Sequence, residues 1–382
     1  MNIFKIFRIE LFLGISLGTA FLTNLRLVSV LGLSEIILII CLTVLFFKYF
    51  SSIISNSYPN DKVFFVKLYL SLAIIIILPL NTFSSAINEI NRIFPEDIFI
   101  FILNLLLLLT IIEAYKDKLN FKFISQTFVS LFIVSVILAF ILLPTKLSYY
   151  GGIRFTGGAN DPNQICIYVI FAIYFSSMYF RNYFLLLFIP LCFLGVITRS
   201  DAFDLSYYIG IGVFFFLHLF YIKSLSFYVN FAIYLVITLI IFFIYLPYEN
   251  LLLYIYDFIS SGDGPGSRNK LIDNSLAVIA SSPIVGYGAG AFSGGVPFGE
   301  KEAHNTVLDL SMIFGVIVPS ILYFLKYKYI KLLIQSQHYL LASTTIMIVI
   351  FSLFHFIGRH PIYWVFIAII LITLNNKKKV IL

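Results

Sequence analysis

The chain has 382 residues, of which 61% are hydrophobic and 11% charged, and its mean hydropathy is +1.02. A soluble protein of this length needs more polar surface, so the composition predicts an all-α polytopic membrane protein. We interpret the net charge of +7 as basic loop residues that fix orientation in the membrane, and we expect no nucleic-acid partner.

Twelve apolar runs of spanning length predict twelve transmembrane helices in a single integral membrane domain, residues 1–382. The runs are 3–22, 28–47, 63–80, 98–114, 122–143, 163–180, 182–198, 204–222, 227–246, 305–325, 338–357 and 361–374. Most basic residues fall on one side of these runs, which predicts cytoplasmic N- and C-termini. The long loop 247–304 is then periplasmic, and residues 268–281 within it have the pattern of a short amphipathic helix.

His304 lies where the long loop meets an apolar run. A histidine gains and loses a proton near neutral pH, which makes His304 a candidate general base. Glu302 and Asp309 are close enough in sequence to orient it. Gly315 lies eleven residues on, nearly on the same helix face, where it would let another helix approach. The competing interpretation is an interfacial histidine that caps a membrane helix.

Arg154 and Arg268 each lie beside glycines and polar turn formers on the predicted outer face. Such turns, together with a guanidinium, can bind a phosphate group. The alternative is that each arginine binds lipid headgroups or loop carbonyls. Residues 161–163 (Asp-Pro-Asn) are also typical of a helix start.

We expect no metal site and no cofactor. The adjacent acids Glu96 and Asp97 fit the first turn of a helix equally well. His355 and His360 have no ligand partner in the sequence around them.

Three segments, in order and all assigned to the outer face, resemble motifs of the O-antigen polymerase and ligase superfamily of bacterial envelope glycosyltransferases. They are 154–164, with Arg154 and Asn163; 266–288, with Arg268, Gly286 and Gly288; and 302–315, with His304, Asn305, Asp309 and Gly315. Arg199 stands one place earlier than the family's arginine at the end of the seventh helix.

The resemblance implies a lipid-dependent glycosyltransferase-like fold in the bacterial inner membrane, with the active site facing the periplasm. The implied substrate is an undecaprenyl-pyrophosphate-linked oligosaccharide, and a chain-length regulator protein is a further implied partner beside membrane lipids. His304, with Glu302, would be catalytic. Arg154, Arg268 and, with less weight, Arg199 would bind the pyrophosphate. The reaction would be independent of metal.

The spelling of the motifs favours a polymerase, which joins repeat units, over a ligase, which transfers the polymer to lipid A-core. Val318 stands where the ligase-type motif usually has Gly, Thr or Tyr. A flippase for the same lipid-linked oligosaccharide is an alternative from another class. It would need polar groups along a central pathway, whereas this sequence concentrates them in outer loops.

The predicted orientation can be tested with single cysteines. In Ser261→Cys the thiol should react with an impermeant maleimide in intact spheroplasts, because the long loop is predicted to be periplasmic. Labelling of Ser224→Cys without labelling of Ser261→Cys would invert the topology.

Overall fold

The computed structural model describes residues 9–22, 32–55, 96–116, 119–143, 148–150, 154–180, 183–221, 236, 267–288 and 303–375. Within these ranges the protein is mostly helical, with one antiparallel hairpin. The helices are α1 (Ile9–Thr19), α2 (Leu33–Ser55), α3 (Glu96–Lys116), α4 (Phe121–Leu142), α5 (Pro162–Tyr179), α6 (Phe184–Ile197), α7 (Asp201–Tyr221), α8 (Ser267–Ser281), α9 (Thr306–Phe314), α10 (Ile317–Gln335), α11 (Tyr339–Phe351) and α12 (Pro361–Asn375). Strands β1 (Tyr149–Tyr150) and β2 (Arg154–Phe155) form the hairpin, with Tyr150 opposite Arg154.

The predicted helical fold class is confirmed, and most predicted spans coincide with one helix. The spans predicted at 63–80 and at 227–246 lie outside the described residues, apart from Val236. Among the described residues, one helix, α4, is long and apolar enough to cross a membrane by length and composition. The twelve-span topology therefore stays a prediction.

Helix α5 lies at the centre of the core. Every residue from Ile165 to Ala172 is at most 1% exposed, and the helix contacts α4, α6, α7 and α11. Its start is the one predicted from the sequence, because the Asp161 side chain accepts a hydrogen bond of 2.6 Å from the Asn163 amide and Pro162 follows the cap. The polar loop before α5 is thereby fixed to the most buried helix.

Helix α8 covers the segment 268–281 that was predicted as a short amphipathic helix. Ser275 and Val278 are buried, whereas Ile272 and Leu276 are exposed.

The predicted span 305–325 is two helices. Helix α9 ends before Gly315, whose φ of +76° is a conformation that glycine adopts easily. The turn at 283–286 packs against this break: the Val316 amide donates to the Pro283 carbonyl at 2.8 Å. The expectation that another helix approaches at Gly315 is therefore wrong, since the approaching backbone belongs to a turn.

We predict that Gly315→Ala destabilises the protein by at least about 2 kcal/mol. The left-handed φ alone costs a residue with a Cβ roughly 1–2 kcal/mol, and that Cβ would meet the carbonyl group of Ile284. Thermal unfolding of the purified protein measures the change.

Gly212→Ala in α7 is the matched control, because a Cβ there meets nothing within 4 Å. It should be neutral or stabilise the helix by up to about 1 kcal/mol. Equal unfolding temperatures for the two variants would contradict the close approach at Gly315.

Candidate functional site

The backbone at His304 is held in an unusual conformation. Its φ is +53°, and among the described residues only Arg199 and Gln337 share a positive φ without being glycine. The Asp309 carboxylate accepts hydrogen bonds from the amides on both sides of His304, at 3.0 Å from Ala303 and 3.1 Å from Asn305. Asp309, predicted to orient His304, thus fixes the backbone that carries it.

Asn305 caps helix α9. Its side-chain oxygen accepts hydrogen bonds from the amides of Val307 and Leu308, and its side-chain nitrogen donates to the Leu353 carbonyl at 2.8 Å. The interpretation of His304 as the helix cap is therefore wrong. His304 stands one residue before the cap, half-buried.

The α11–α12 turn, residues 352–360, is fastened to the start of α9 by Thr306. The Thr306 amide donates to the Ser352 carbonyl at 2.8 Å, and its hydroxyl donates to the His355 carbonyl at 2.7 Å. The same hydroxyl accepts from the Ile357 amide at 3.1 Å. The segment that carries His304 and the turn are therefore joined by three hydrogen bonds into one unit.

Three histidines form a row at this junction, which we call the histidine row: His304, His355 and His360. The ring centroids of His304 and His355 are 6.4 Å apart with the planes at 13°, and those of His355 and His360 are 5.8 Å apart. The Tyr168 ring of α5 meets His360 edge-on at 5.8 Å. The row therefore runs from the candidate base to the central helix.

The two inner histidines are buried. Burial lowers the pKa of His360 to about 3, and the charge of Arg359 adds a smaller effect. The Nδ1 atoms of His304 and His355 are buried and make no hydrogen bond within the part of the chain that the structure describes. The half-buried His304 is thus the member of the row most open to a substrate.

Arg154 and Asn163 contact the corner between α6 and α7, residues 198–200. The Arg154 Nε donates to the Thr198 carbonyl at 3.1 Å, and the Ser200 hydroxyl donates to the Asn163 side chain. The Thr198 hydroxyl in turn lies 3.0 Å from the Cys166 sulfur of α5. These contacts form a second polar cluster, the Arg154 cluster, at the start of α5.

The Arg154 cluster and the histidine row lie on opposite sides of α5. Cys166 contacts the cluster and Tyr168 contacts the row. These residues are two positions apart, and side chains at that spacing in a helix point about 200° apart around its axis. A substrate that touches both Arg154 and His304 must therefore extend over the end of α5.

The other predicted site residues are more scattered. Arg199 is exposed at the corner between α6 and α7, with a φ of +50°. Arg268 is the second residue of α8, and its side chain is outside the described part, as is the whole of Glu302. Gly286 and Gly288 belong to the turn that packs on the far end of α9, where Gly315 lies.

His355, His360 and Tyr168 were not predicted as parts of the site. The two histidines five residues apart, one at the end of an apolar run and one just after it, were a signal, but no sequence neighbour connects them with His304. Comparison of the chain with protein-family models, with curated proteins and with solved structures finds no match. The site is therefore interpreted from its own geometry.

Thr306→Val should cost about 2–4 kcal/mol, because it leaves the buried His355 carbonyl and Ile357 amide without their partner. It should also displace His304 from the turn. Thermal unfolding and the activity assay described below measure the two effects.

Thr345→Val is the control, since the equally buried Thr345 hydroxyl bonds only the Leu341 carbonyl one turn back in its own helix. Loss of such a bond should cost below about 1 kcal/mol. Similar losses in both variants would mean that Thr306 does not join the turn to α9.

Proposed function

We propose that the protein is an O-antigen polymerase, an integral membrane glycosyltransferase that joins undecaprenyl-pyrophosphate-linked repeat units on the periplasmic face of the bacterial inner membrane. The observation that carries this proposal is the backbone of His304. A non-glycine residue with positive φ costs of order 1–3 kcal/mol and persists where the surroundings enforce it, as the Asp309 carboxylate and the Asn305 cap do here.

The outward surface of the helices supports a membrane location. Phe47, Leu142 and Leu186 are 74%, 69% and 71% exposed, and other large apolar side chains flank them on α2, α4 and α6. Water disfavours apolar patches of this kind, whereas lipid accepts them. The helices α2 and α6 add to the surface that α4 offers to a bilayer.

The chemistry is an inverting displacement. A sugar hydroxyl of the acceptor attacks the anomeric carbon of the donor, the new carbon–oxygen bond forms, and the bond to the pyrophosphate oxygen breaks with its electron pair. The imidazole of His304 takes the hydroxyl proton. Arginines near the pyrophosphate stabilise the negative charge that grows on it, which favours the transition state over the ground state.

A polymerase binds two pyrophosphates, one on the donor and one on the acceptor, because both substrates are lipid-linked. There are therefore two pyrophosphate groups for the predicted anion ligands, Arg154, Arg199 and Arg268, to bind. Of these, Arg154 stands in a built polar cluster with Asn163 and Ser200.

The experiment that tests the proposal is His304→Asn in a strain that lacks the chromosomal copy. Asparagine tolerates a positive φ better than most residues, so the backbone should keep its conformation, but its amide takes no proton near pH 7. We expect polymer to fall about 100- to 10,000-fold, the usual loss of a proton-transfer group. Lipopolysaccharide gels at matched protein level measure it.

The deletion strain itself separates the alternatives. Core carrying a single repeat unit indicates a polymerase. Bare core with accumulated lipid-linked polymer indicates a ligase, and lipid-linked single units held inside the membrane indicate a flippase. A normal polymer length distribution in His304→Asn would end the proposal of His304 as base.

A further inference from the structure

Arg359 lies in the α11–α12 turn, in the unit that carries His304. It stands next to His360 in the sequence, and its positive charge contributes to lowering the pKa of His360, after the larger effect of burial. Arg359 is therefore close to the His360 end of the histidine row. Arg154, in contrast, lies across α5 from the row.

The backbone of Arg359 is held firmly. The side-chain nitrogen of Asn104, in α3, donates to the Arg359 carbonyl at 3.1 Å, and the Trp364 indole donates to the Gly358 carbonyl at 2.8 Å. The guanidinium carbon lies 4.9 Å from the ring centre of Phe356, which is buried. A guanidinium resting on an aromatic ring keeps its planar edge in a fixed direction, and that edge binds phosphate oxygens in pairs.

Apolar walls border the same arginine. Phe101 of α3, Phe314 of α9 and Phe356 line a narrow crevice together with Arg359. The crevice has a free volume of about 10 Å³, which is room for a single water-sized group, so the ligand group at this place is the guanidinium itself.

The proposed reaction requires the leaving pyrophosphate to lie near the base. The base must be within about 3 Å of the attacking hydroxyl, and that hydroxyl within about 3.5 Å of the anomeric carbon. The pyrophosphate oxygen is bonded to that same carbon. The acceptor's pyrophosphate, by contrast, is separated from the attacking hydroxyl by the sugars of a repeat unit.

We infer that Arg359 binds the pyrophosphate that leaves the donor, an inference that rests on the proposed polymerase reaction. Arg359 belongs to the turn that Thr306 and Asn305 join to His304, whereas the Arg154 cluster lies behind α5. The Arg154 cluster is then placed for an anion farther from the reacting carbon.

The test is calorimetric titration of the purified full-length protein with inorganic pyrophosphate. All variants are made in an Arg154→Gln background, so that the Arg154 cluster does not bind the probe. Arg359→Gln should weaken binding about 10- to 100-fold, the loss expected for charge-assisted hydrogen bonds. Arg359→Lys should also weaken it, because an ammonium lacks the paired geometry although the charge is retained.

Lys328→Gln is the matched control, since it removes one positive charge from an exposed position of α10. Its affinity should stay within twofold of the background protein. Unfolding temperatures show that the variants are folded. Unchanged affinity in both Arg359 variants, or no binding of pyrophosphate by the background protein, overturns the inference.

A second titration uses short-chain phosphatidylglycerol, whose headgroup carries a single phosphodiester. If it binds as tightly as pyrophosphate and depends equally on Arg359, the site serves membrane lipid and the inference fails. Loss of pyrophosphate binding in Arg359→Gln together with a deletion strain whose core does not carry a single repeat unit would keep the anion site and reject the polymerase. Unchanged binding together with loss of polymer in His304→Asn would keep the polymerase and reject Arg359.

Discussion

The junction between the start of α9 and the α11–α12 turn is the constraint on which the site depends. The Thr306 hydroxyl acts as donor to one buried backbone group of the turn and as acceptor for another, and the Asn305 side chain adds a third contact. A buried backbone group without a partner costs about as much as a lost hydrogen bond, so the two elements cannot separate cheaply. The position of His304 follows from this junction.

Firm placement of His304 would have a chemical purpose in the proposed lipid-dependent transferase. Its proposed substrates are flexible chains, and such an enzyme must hold two reacting atoms in contact while the rest of each chain moves. If His304 is the base, its position before a capped helix and its enforced left-handed backbone would leave it little freedom to lose when substrate binds.

The sequence predicted what depends on neighbouring residues. Asp161 and Pro162 predict the start of α5, and the spacing of apolar residues within 268–281 predicts a helix where α8 lies. What it could not predict depends on distant residues. The histidine row requires contacts between residues about fifty positions apart, and the break at Gly315 depends on a turn thirty positions earlier. A glycine in an apolar run occurs both in continuous helices that pack closely and at helix breaks. The backbone conformation at Gly315 therefore follows only from the structure.

The break at Gly315 has a consequence for the long loop. Helix α9 has nine residues, about 14 Å of rise, against about 30 Å of hydrocarbon in a bilayer. In a membrane the break would lie well below the surface, where an unsatisfied peptide group costs several kcal/mol. Residues of the loop supply hydrogen-bond partners for the backbone at the break. The Pro283 carbonyl accepts from the Val316 amide, and the Tyr287 amide donates to the Met312 carbonyl. In the proposed membrane location this part of the loop would be a re-entrant element, which would complete the wall of the domain and could not be shortened as an external lid could be.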